Sequence, residues 1–577
     1  MTPQERILKH LTFLYGAQTA AEMWSRLELR LDDFRQRHPQ LAQEKRPLSE
    51  RLSQRDAILI AYADQVQEEG KAPLRSLAEF AGQYLDGVVS GIHILPFYPY
   101  SSDDGFSVID YRQVKPEWGR WADVSRLGRT FRLMFDGVIN HISQHSEWFA
   151  AFKRGQTPCC KYFLAVDPHT DLSMVVRPRA LPLLTGVQTV EGAKWVWTTF
   201  SADQIDLDYH CPELMLEIID LFLFYVEQGA ELIRLDAIAY LWKEIGTTCI
   251  HLPQTHAVVK LLRAVLDLAA PGVMMITETN VPHAENISYF GDPLPSGGTD
   301  EAQLVYQFPL APLILHSILT GDATVLSRWA DGLDIPPGVT FFNFTASHDG
   351  IGVRPAEGLL SKAEIQALAD AVLAHGGRVS YKANADGSAS PYELNISYID
   401  ALSDPASDEP LSAQGDRFVV SQAIMLALAG VPGIYVHSLF GSRSWVEGMQ
   451  QSGQNRTINR QKFERAALER ELGDLASLRA QVFGAYKKLL QARASEPAFH
   501  PFGAQQVLTP DRRVFALLRT APDDQSRVLC LHNVSGETLS AECSLIRAGW
   551  RDLLSGETGT SHIVKLAPFA VRWLMIE

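Results

Sequence analysis

The sequence predicts an α/β chain built on a (β/α)8 TIM barrel, with inserted loop domains and a C-terminal antiparallel β domain. Three observations carry that reading. Short apolar runs alternate with helical stretches along most of the 577 residues, the pattern of a parallel sheet. Eight runs read as strands, at 58–62, 91–96, 133–140, 232–236, 274–278, 304–308, 339–347 and 433–437, and eight strands close a barrel. Several of these runs end in carboxylates, where a barrel carries its chemistry. A doubly wound sheet is the rival, but no Gly-x-Gly-x-x-Gly or phosphate-cradling Gly-Lys-Ser/Thr loop follows a strand.

Taken in order, residues 1–54 are polar with helical apolar spacing (Ile7, Leu11, Leu14, Leu27, Leu29, Leu31, Phe34), which predicts a helical extension packed on a larger body. The first part of the barrel follows at 55–140. Residues 141–210 are too long for a simple barrel connection, irregular and rich in proline, and read as an inserted domain B. The middle of the barrel spans 211–349, with helices at 214–227 and 255–268. A second insertion, 350–415, is rich in Gly, Ser, Asn and Pro and reads as a loop domain B′. The barrel ends over 416–497, and 498–577 turns to short alternating strands such as 514–518 and 528–532.

Bulk properties narrow the function. At 46% hydrophobic and 21% charged residues the chain should be a soluble globular protein. A net charge of −15 argues against nucleic acid or an anionic membrane as partner. The start, MTPQERILKHL, has charges where a secretory leader needs an apolar core. The apolar run at 423–436 is too short to span a bilayer and contains Gly430, Pro432 and Gly433. Cys159, Cys160, Cys211, Cys249, Cys530 and Cys543 show no zinc or redox spacing, which fits a reducing cytoplasm.

The strand ends supply the chemistry. In ELIRLDAIAY, Arg234 and Asp236 lie two residues apart and so share one face of a strand. The fifth strand ends at Glu278 in ITETN, the seventh at His348-Asp349 in SHDGIG, and the third runs through Asp136 to Asn140-His141. Carboxylates gathered in a partly buried mouth repel one another and lose hydration, so their convergence needs a reason. Glycoside chemistry is one: a retaining enzyme needs a carboxylate nucleophile and a protonated carboxylic acid close together, and a further carboxylate can stabilise the oxocarbenium-like transition state.

With these motifs the chain resembles the α-amylase superfamily of retaining α-glucoside enzymes, and within it the sucrose phosphorylase branch, from about Asp56 to the end. The resemblance rests on AYADQ (61–65), GIHILPFYP (91–99), DDGFSVIDY (103–111), DGVINH (136–141), RPRALP (177–182), QIDLD (204–208), IRLDAIAY (233–240), KEIGTTC (243–249), ITETN (276–280), SHDGIGV (347–353) and NRTINR (455–460). It implies Asp236 as nucleophile, Glu278 as acid/base and Asp349 as transition-state stabiliser. Asp103, His141, Arg234, His348 and Arg460 would hold a glucosyl ring, with Phe106, Phe200, Gln204 and Tyr240 lining its subsite. It implies no calcium or other metal and no cofactor, with inorganic phosphate as co-substrate, and a homodimer is compatible with it.

The acceptor side departs from the sucrose-cleaving pattern. Asn280 stands where those enzymes have a histidine, and Tyr392-Glu393 where they have Tyr-Gln; Arg378 and Lys382 lie in the preceding loop. These departures resemble the glucosylglycerate phosphorylases, which split 2-O-α-glucosyl-glycerate with phosphate to α-glucose 1-phosphate and glycerate. Phosphate and glycerate are both anions, so one cationic patch can serve both; Arg177, Arg179 and Lys382 are the candidates, with Asn280, Tyr392 and Glu393 beside them. Sucrose or sucrose 6′-phosphate phosphorolysis, another α-transglucosidase or hydrolase, and a non-catalytic sugar-binding protein stay open at this point.

Overall fold

The structure, a computed structural model, describes residues 1–44, 46–178, 181–295, 297–383 and 388–576. Eight parallel strands close a barrel: β1 (Ile58–Ala61), β2 (Gly91–Ile94), β3 (Arg132–Gly137), β4 (Ala230–Leu235), β5 (Met274–Thr277), β6 (Leu304–Tyr306), β7 (Thr340–Asn343) and β8 (Val431–Tyr435). They are the eight runs read from the sequence, and neighbours in the ring are neighbours in the chain. Each is almost wholly buried, because helices cover its outer face and side chains fill the interior. The register sets Asp136 of β3 beside Arg234 of β4, and Arg234 beside Ile276 of β5. A buried ion pair is thereby built into the barrel just beneath its mouth.

The N-terminal extension is helical, as its spacing predicts. Helix α1 (Pro3–Tyr15) opens with Pro3 in its first turn and a capping box in which Thr2 and Glu5 satisfy each other's backbone N–H groups. It leads into α2 (Ala17–Arg37). The pair lies against two barrel helices, α3 (Pro212–Glu227) and α4 (Pro253–Ala269). Ile7, Leu11, Leu27, Leu31 and Phe34 face inward, whereas Leu29, counted in the same spacing, is 73% exposed. Arg6 reaches Asp267 at 2.5 Å, Arg30 pairs with Asp220, and the Tyr15 hydroxyl donates to the Tyr209 carbonyl at 2.9 Å.

Both insertions are more regular than their composition suggests. Within 141–210, His141–Ser143 pairs antiparallel with Gln204–Asp206, and Leu184–Thr189 forms a hairpin with Gly192–Trp197. After β7, Ile351–Gly352 pairs with Ala389–Asn395, which forms a hairpin with Arg378–Ala383. A helix, Lys362–Ala374, precedes that hairpin and starts at a Ser361/Glu364 capping box. Residues 384–387, in the Gly- and Asn-rich stretch, lie outside the described residues. The C-terminal part carries an antiparallel sheet of six strands and a separate antiparallel pair.

Two buried arginines join these parts through backbone carbonyls. Arg493 donates to the carbonyls of Leu426, Gln54, Asp56, Gly430 and Phe499, and Arg519 to those of Ala427, His500, Ala504 and Gly503. Burial pushes both guanidinium groups down, Arg493 to about 9 and Arg519 to about 10. Replacing Arg493 with methionine keeps much of the volume but orphans several carbonyls. The expected outcome is a loss of about 3 kcal/mol or more in urea unfolding, with turnover per folded molecule retained. A loss below about 1 kcal/mol would mean that the carbonyls find other donors.

Candidate active site

The C-terminal ends of the strands open into a cleft enclosing about 750 Å³, counting its open mouth. Twelve of the residues singled out from the sequence line it: Asp103, Phe106, His141, Phe200, Gln204, Asp236, Tyr240, Glu278, Asn280, His348, Asp349 and Tyr392. Arg456 lines it too.

Asp236 follows β4 directly, and its N–H donates to the Gly137 carbonyl at 3.2 Å. Arg234 lies below it on the same face, and its Nη1 is 2.9 Å from Asp236 Oδ1 and also bonded to Asp136 Oδ1. On its other side Asp136 meets His93 Nε2 at 2.7 Å. Burial pushes Asp136 up, but Arg234 and His93 outweigh it and hold the carboxyl at about 2. Ala237, the next residue, adopts a left-handed conformation (φ 47°) that non-glycine residues seldom take. That turn aims the Ala237 N–H at Glu278 Oε2, 3.0 Å away. The Glu278 N–H in turn donates to the Leu235 carbonyl at 3.1 Å.

Asp236 and Glu278 therefore share one small volume. Burial pushes both above the usual carboxylate range, Arg234 opposes that in each, and Glu278 adds its own repulsion at Asp236. Such a pair favours keeping one proton between the two carboxyls. Contact decides where the charge goes: Arg234 bonds Asp236 directly, while its Nη2 stays 3.7 Å from Glu278. The closer contact of Arg234 favours the charge on Asp236 and the proton on Glu278.

Asp349 is the third carboxylate. Arg456 Nη1 lies 2.6 Å from its Oδ1, and Arg460 Nη2 lies at 3.7 Å. Burial pushes it up, but Arg456 and Arg460 outweigh that and hold it well below the usual range, so it stays ionised. Its neighbour His348 is pushed down to about 3 by burial and stays neutral, with its ring stacked on Phe106 at 4.5 Å. Arg460 binds the His348 carbonyl at 2.8 Å and Asp104 at 2.6 Å, and its Nη1 is 3.7 Å from Asp103. Asp103 and Asp104 both take left-handed backbone (φ 51° and 48°), and Gly105 follows at φ 116°, where a Cβ would sit 2.5 Å from the Pro96 carbonyl oxygen.

The opposite wall comes from the first insertion. His141 Nε2 donates to the Phe106 carbonyl at 2.8 Å, which Gln204 also binds at 3.1 Å. Burial lowers His141, so its ring is neutral with the proton on Nε2. Phe200 packs at 5.3 Å from the His141 ring and 5.6 Å from Tyr240. Behind this wall, buried Lys243 reaches Asn140 Oδ1 and Asp206 Oδ2, both at 2.9 Å. Its ammonium gives Asp206 a counter-charge and ties the insertion to the barrel. Among the described residues no group of three or more His, Cys, Asp or Glu is arranged to hold a metal ion.

None of the described cationic candidates, Lys382, Arg378 and Arg177, is among the residues that line the cleft, although Pro178, beside Arg177, is. Lys382 sits on the second insertion's hairpin and is paired with Glu357 at 2.7 Å, and neither residue lines the cleft. Arg378, on the same strand, is exposed and binds the Gly377 carbonyl. Arg177 is exposed, with Nη1 3.4 Å from the Leu181 carbonyl, and Arg179 lies outside the described residues. Glu393 is buried and gripped by Arg456 at 3.0 and 2.6 Å. Arg456 lies in the NRTINR motif, four residues before Arg460, but the motif alone does not say which arginine faces the cleft.

Three carboxylates, Asp236, Glu278 and Asp349, converging from separate strand ends on the mouth of a closed parallel barrel are the arrangement that an enzyme of glycosidic bonds uses. Residues 83–325 match the α-amylase catalytic domain family. The chain is 50% identical to a glucosylglycerate phosphorylase of Spirochaeta thermophila, over 100% of this chain and 99% of that one. It is 43% identical to a glucosylglycerate phosphorylase of Escherichia coli, over 99% and 100% of the two chains. A sucrose phosphorylase of Agrobacterium vitis is 31% identical over 78% of this chain and 90% of that one. The chain belongs to the glucosylglycerate phosphorylase family. Its fold resembles the crystal structure of sucrose 6F-phosphate phosphorylase from Thermoanaerobacter thermosaccharolyticum, with a TM-score of 0.72 at 22% identity, covering 89% of this chain and 98% of that one.

Proposed function

We propose that this chain is a retaining phosphorylase that cleaves 2-O-α-glucosyl-glycerate with inorganic phosphate to α-glucose 1-phosphate and glycerate. The observation that carries the reading is the full-length similarity to glucosylglycerate phosphorylases at 43–50% identity, against 31% over 78% of the chain for the sucrose phosphorylase. The cleft supplies the chemistry. Glu278, protonated, gives its proton to the leaving oxygen of glycerate while Asp236 attacks the anomeric carbon. Asp349, kept ionised by Arg456, faces the developing positive charge of the sugar ring. An oxygen of phosphate then attacks the anomeric carbon of the glucosyl-enzyme and releases Asp236. Two inversions retain the α configuration.

Neither half-reaction calls for a metal or a cofactor; phosphate is a co-substrate. Among the described residues no helix is long and apolar enough to cross a membrane. The six cysteines are all free, which suits a cytoplasmic setting. The test is phosphate-dependent release of glucose 1-phosphate from a panel of glucosides, together with synthesis from glucose 1-phosphate. Glycerate should be preferred over fructose and glycerol by well over tenfold, a difference of more than about 1.4 kcal/mol at the acceptor site. Fructose used as readily as glycerate would move the reading to sucrose phosphorolysis.

A further inference from the structure

The cleft is rich in arginine, yet most of its cations already serve a carboxylate. Arg234 serves Asp136 and Asp236, Arg460 serves Asp104, and Arg456 divides between Asp349 and a two-pronged grip on Glu393. Arg354 differs. It is half-buried, and among the described residues it has no carboxylate within 4.0 Å.

Its position follows from the chain around it. The edge strand Ile351–Gly352 pairs with Ala389–Asn395, with Gly352 opposite Glu393, and the Val353 N–H donates to the Tyr392 carbonyl at 3.1 Å. Gly352 presses on Asn280: a Cβ there would stand 2.8 Å from both polar atoms of that side chain. Arg354 begins the next turn, Arg354–Ala356, on the rim that carries Tyr392 and Asn280, both of which line the cleft. Arg354 itself is not among the lining residues, but the lining residues Tyr392 and Asn280 are held against its two neighbours in the chain, Val353 and Gly352. Burial pushes the hydroxyls of Tyr240 and Tyr392 up, and the positive charge of Arg354 lowers both. Asn280 Oδ1, on the same rim, is buried with no hydrogen bond from the described protein atoms and suits a hydroxyl donor.

We infer that Arg354 binds the negative charge on the acceptor side: the carboxylate of glycerate in one half-reaction and inorganic phosphate in the other. This rests on the phosphorylase reading above. A guanidinium presents parallel N–H donors that fit a carboxylate and a phosphate alike, so one residue serves two ligands that alternate. The arrangement also accounts for Glu393 beside an anion site. Arg456 neutralises it with two hydrogen bonds, so it adds little repulsion.

The test compares wild type with Arg354→Ala and Arg354→Lys. With α-glucosyl fluoride as donor, the glucosyl-enzyme partitions between phosphate, giving glucose 1-phosphate, and water, giving glucose. In Arg354→Ala the ratio of phosphate to water transfer should fall by about 10- to 100-fold, and KM for phosphate and for glycerate should rise by a similar factor. Arg354→Lys should recover part of both, since it keeps the charge but loses the fork. Equal losses toward phosphate and water would make Arg354 a structural support and overturn the inference, as would an unchanged KM for both anions. If wild type ignores glycerate, the substrate reading fails by itself, and the phosphate measurements still decide the role of Arg354.

Discussion

Asp236→Asn should lower turnover by at least about 10⁴-fold while the protein stays folded, because the covalent intermediate cannot form without the carboxylate. The change is nearly isosteric and removes one negative charge. Arg234 keeps its partner Asp136, so the buried network beneath the mouth retains its main ion pair. The loss of charge also relieves repulsion: Asp236 stands among Glu278, Asp136 and Asp349, all of which push its carboxyl up. The thermal midpoint of Asp236→Asn should therefore equal or exceed that of wild type. Two measurements decide it, the single-turnover rate on glucoside plus phosphate and the melting curve. Activity within roughly tenfold of wild type would remove Asp236 as nucleophile. A lost midpoint would show that its charge is needed for folding.

Asp236 was legible in the sequence because its signal is local. Arg234 and Asp236 sit two apart at the end of an apolar run, and a period of two puts them on one face in any strand. Glu278 likewise follows β5 directly, while Asp349 comes from the loop after β7 and was legible through its SHDGIG motif. The inward pair of His93 and Asp136 was less legible, since His93 comes from a different strand and only the register brings it to Asp136. The insertions resisted reading for another reason. Their hairpins are short, and a shift of one residue turns every side chain to the other face. Lys382 is a candidate for the acceptor site by its charge and its place before Tyr392-Glu393, whereas the hairpin pairs it with Glu357.

Ion pairing was the least legible feature. Sequence supplies arginines and carboxylates by type, but tertiary approach chooses the partners. Arg456 and Glu393 lie 63 residues apart in the chain, and nothing local joins them. Arg354 carried no signal beyond its place after SHDGIGV. Its relevance appears once Gly352 is seen against Asn280 and Val353 bonded to the Tyr392 carbonyl.

Glu278→Gln should separate the donors by how much their leaving groups need a proton. Glutamine keeps the shape and can still accept from the Ala237 N–H, but it has no proton to give. With glucosyl-glycerate, whose leaving alkoxide is strongly basic, turnover should fall by about 10³-fold, within the usual worth of a positioned acid. With α-glucosyl fluoride the leaving group departs as an anion. Phosphate attacks the glucosyl-enzyme without losing a proton to a base, so glucose 1-phosphate formation should stay within about tenfold of wild type. The pH profile gives a second check. Burial, first among the causes, holds Glu278 above the ordinary carboxylate range, and its protonated form is the active one. Wild-type activity on the glucoside should therefore persist above that range and fall as pH rises through the Glu278 pKa. In Glu278→Gln the residual rate should lose that alkaline fall, because the titrating group is gone. Equal losses on both donors, or an alkaline limb that survives the substitution, would assign the proton to another group.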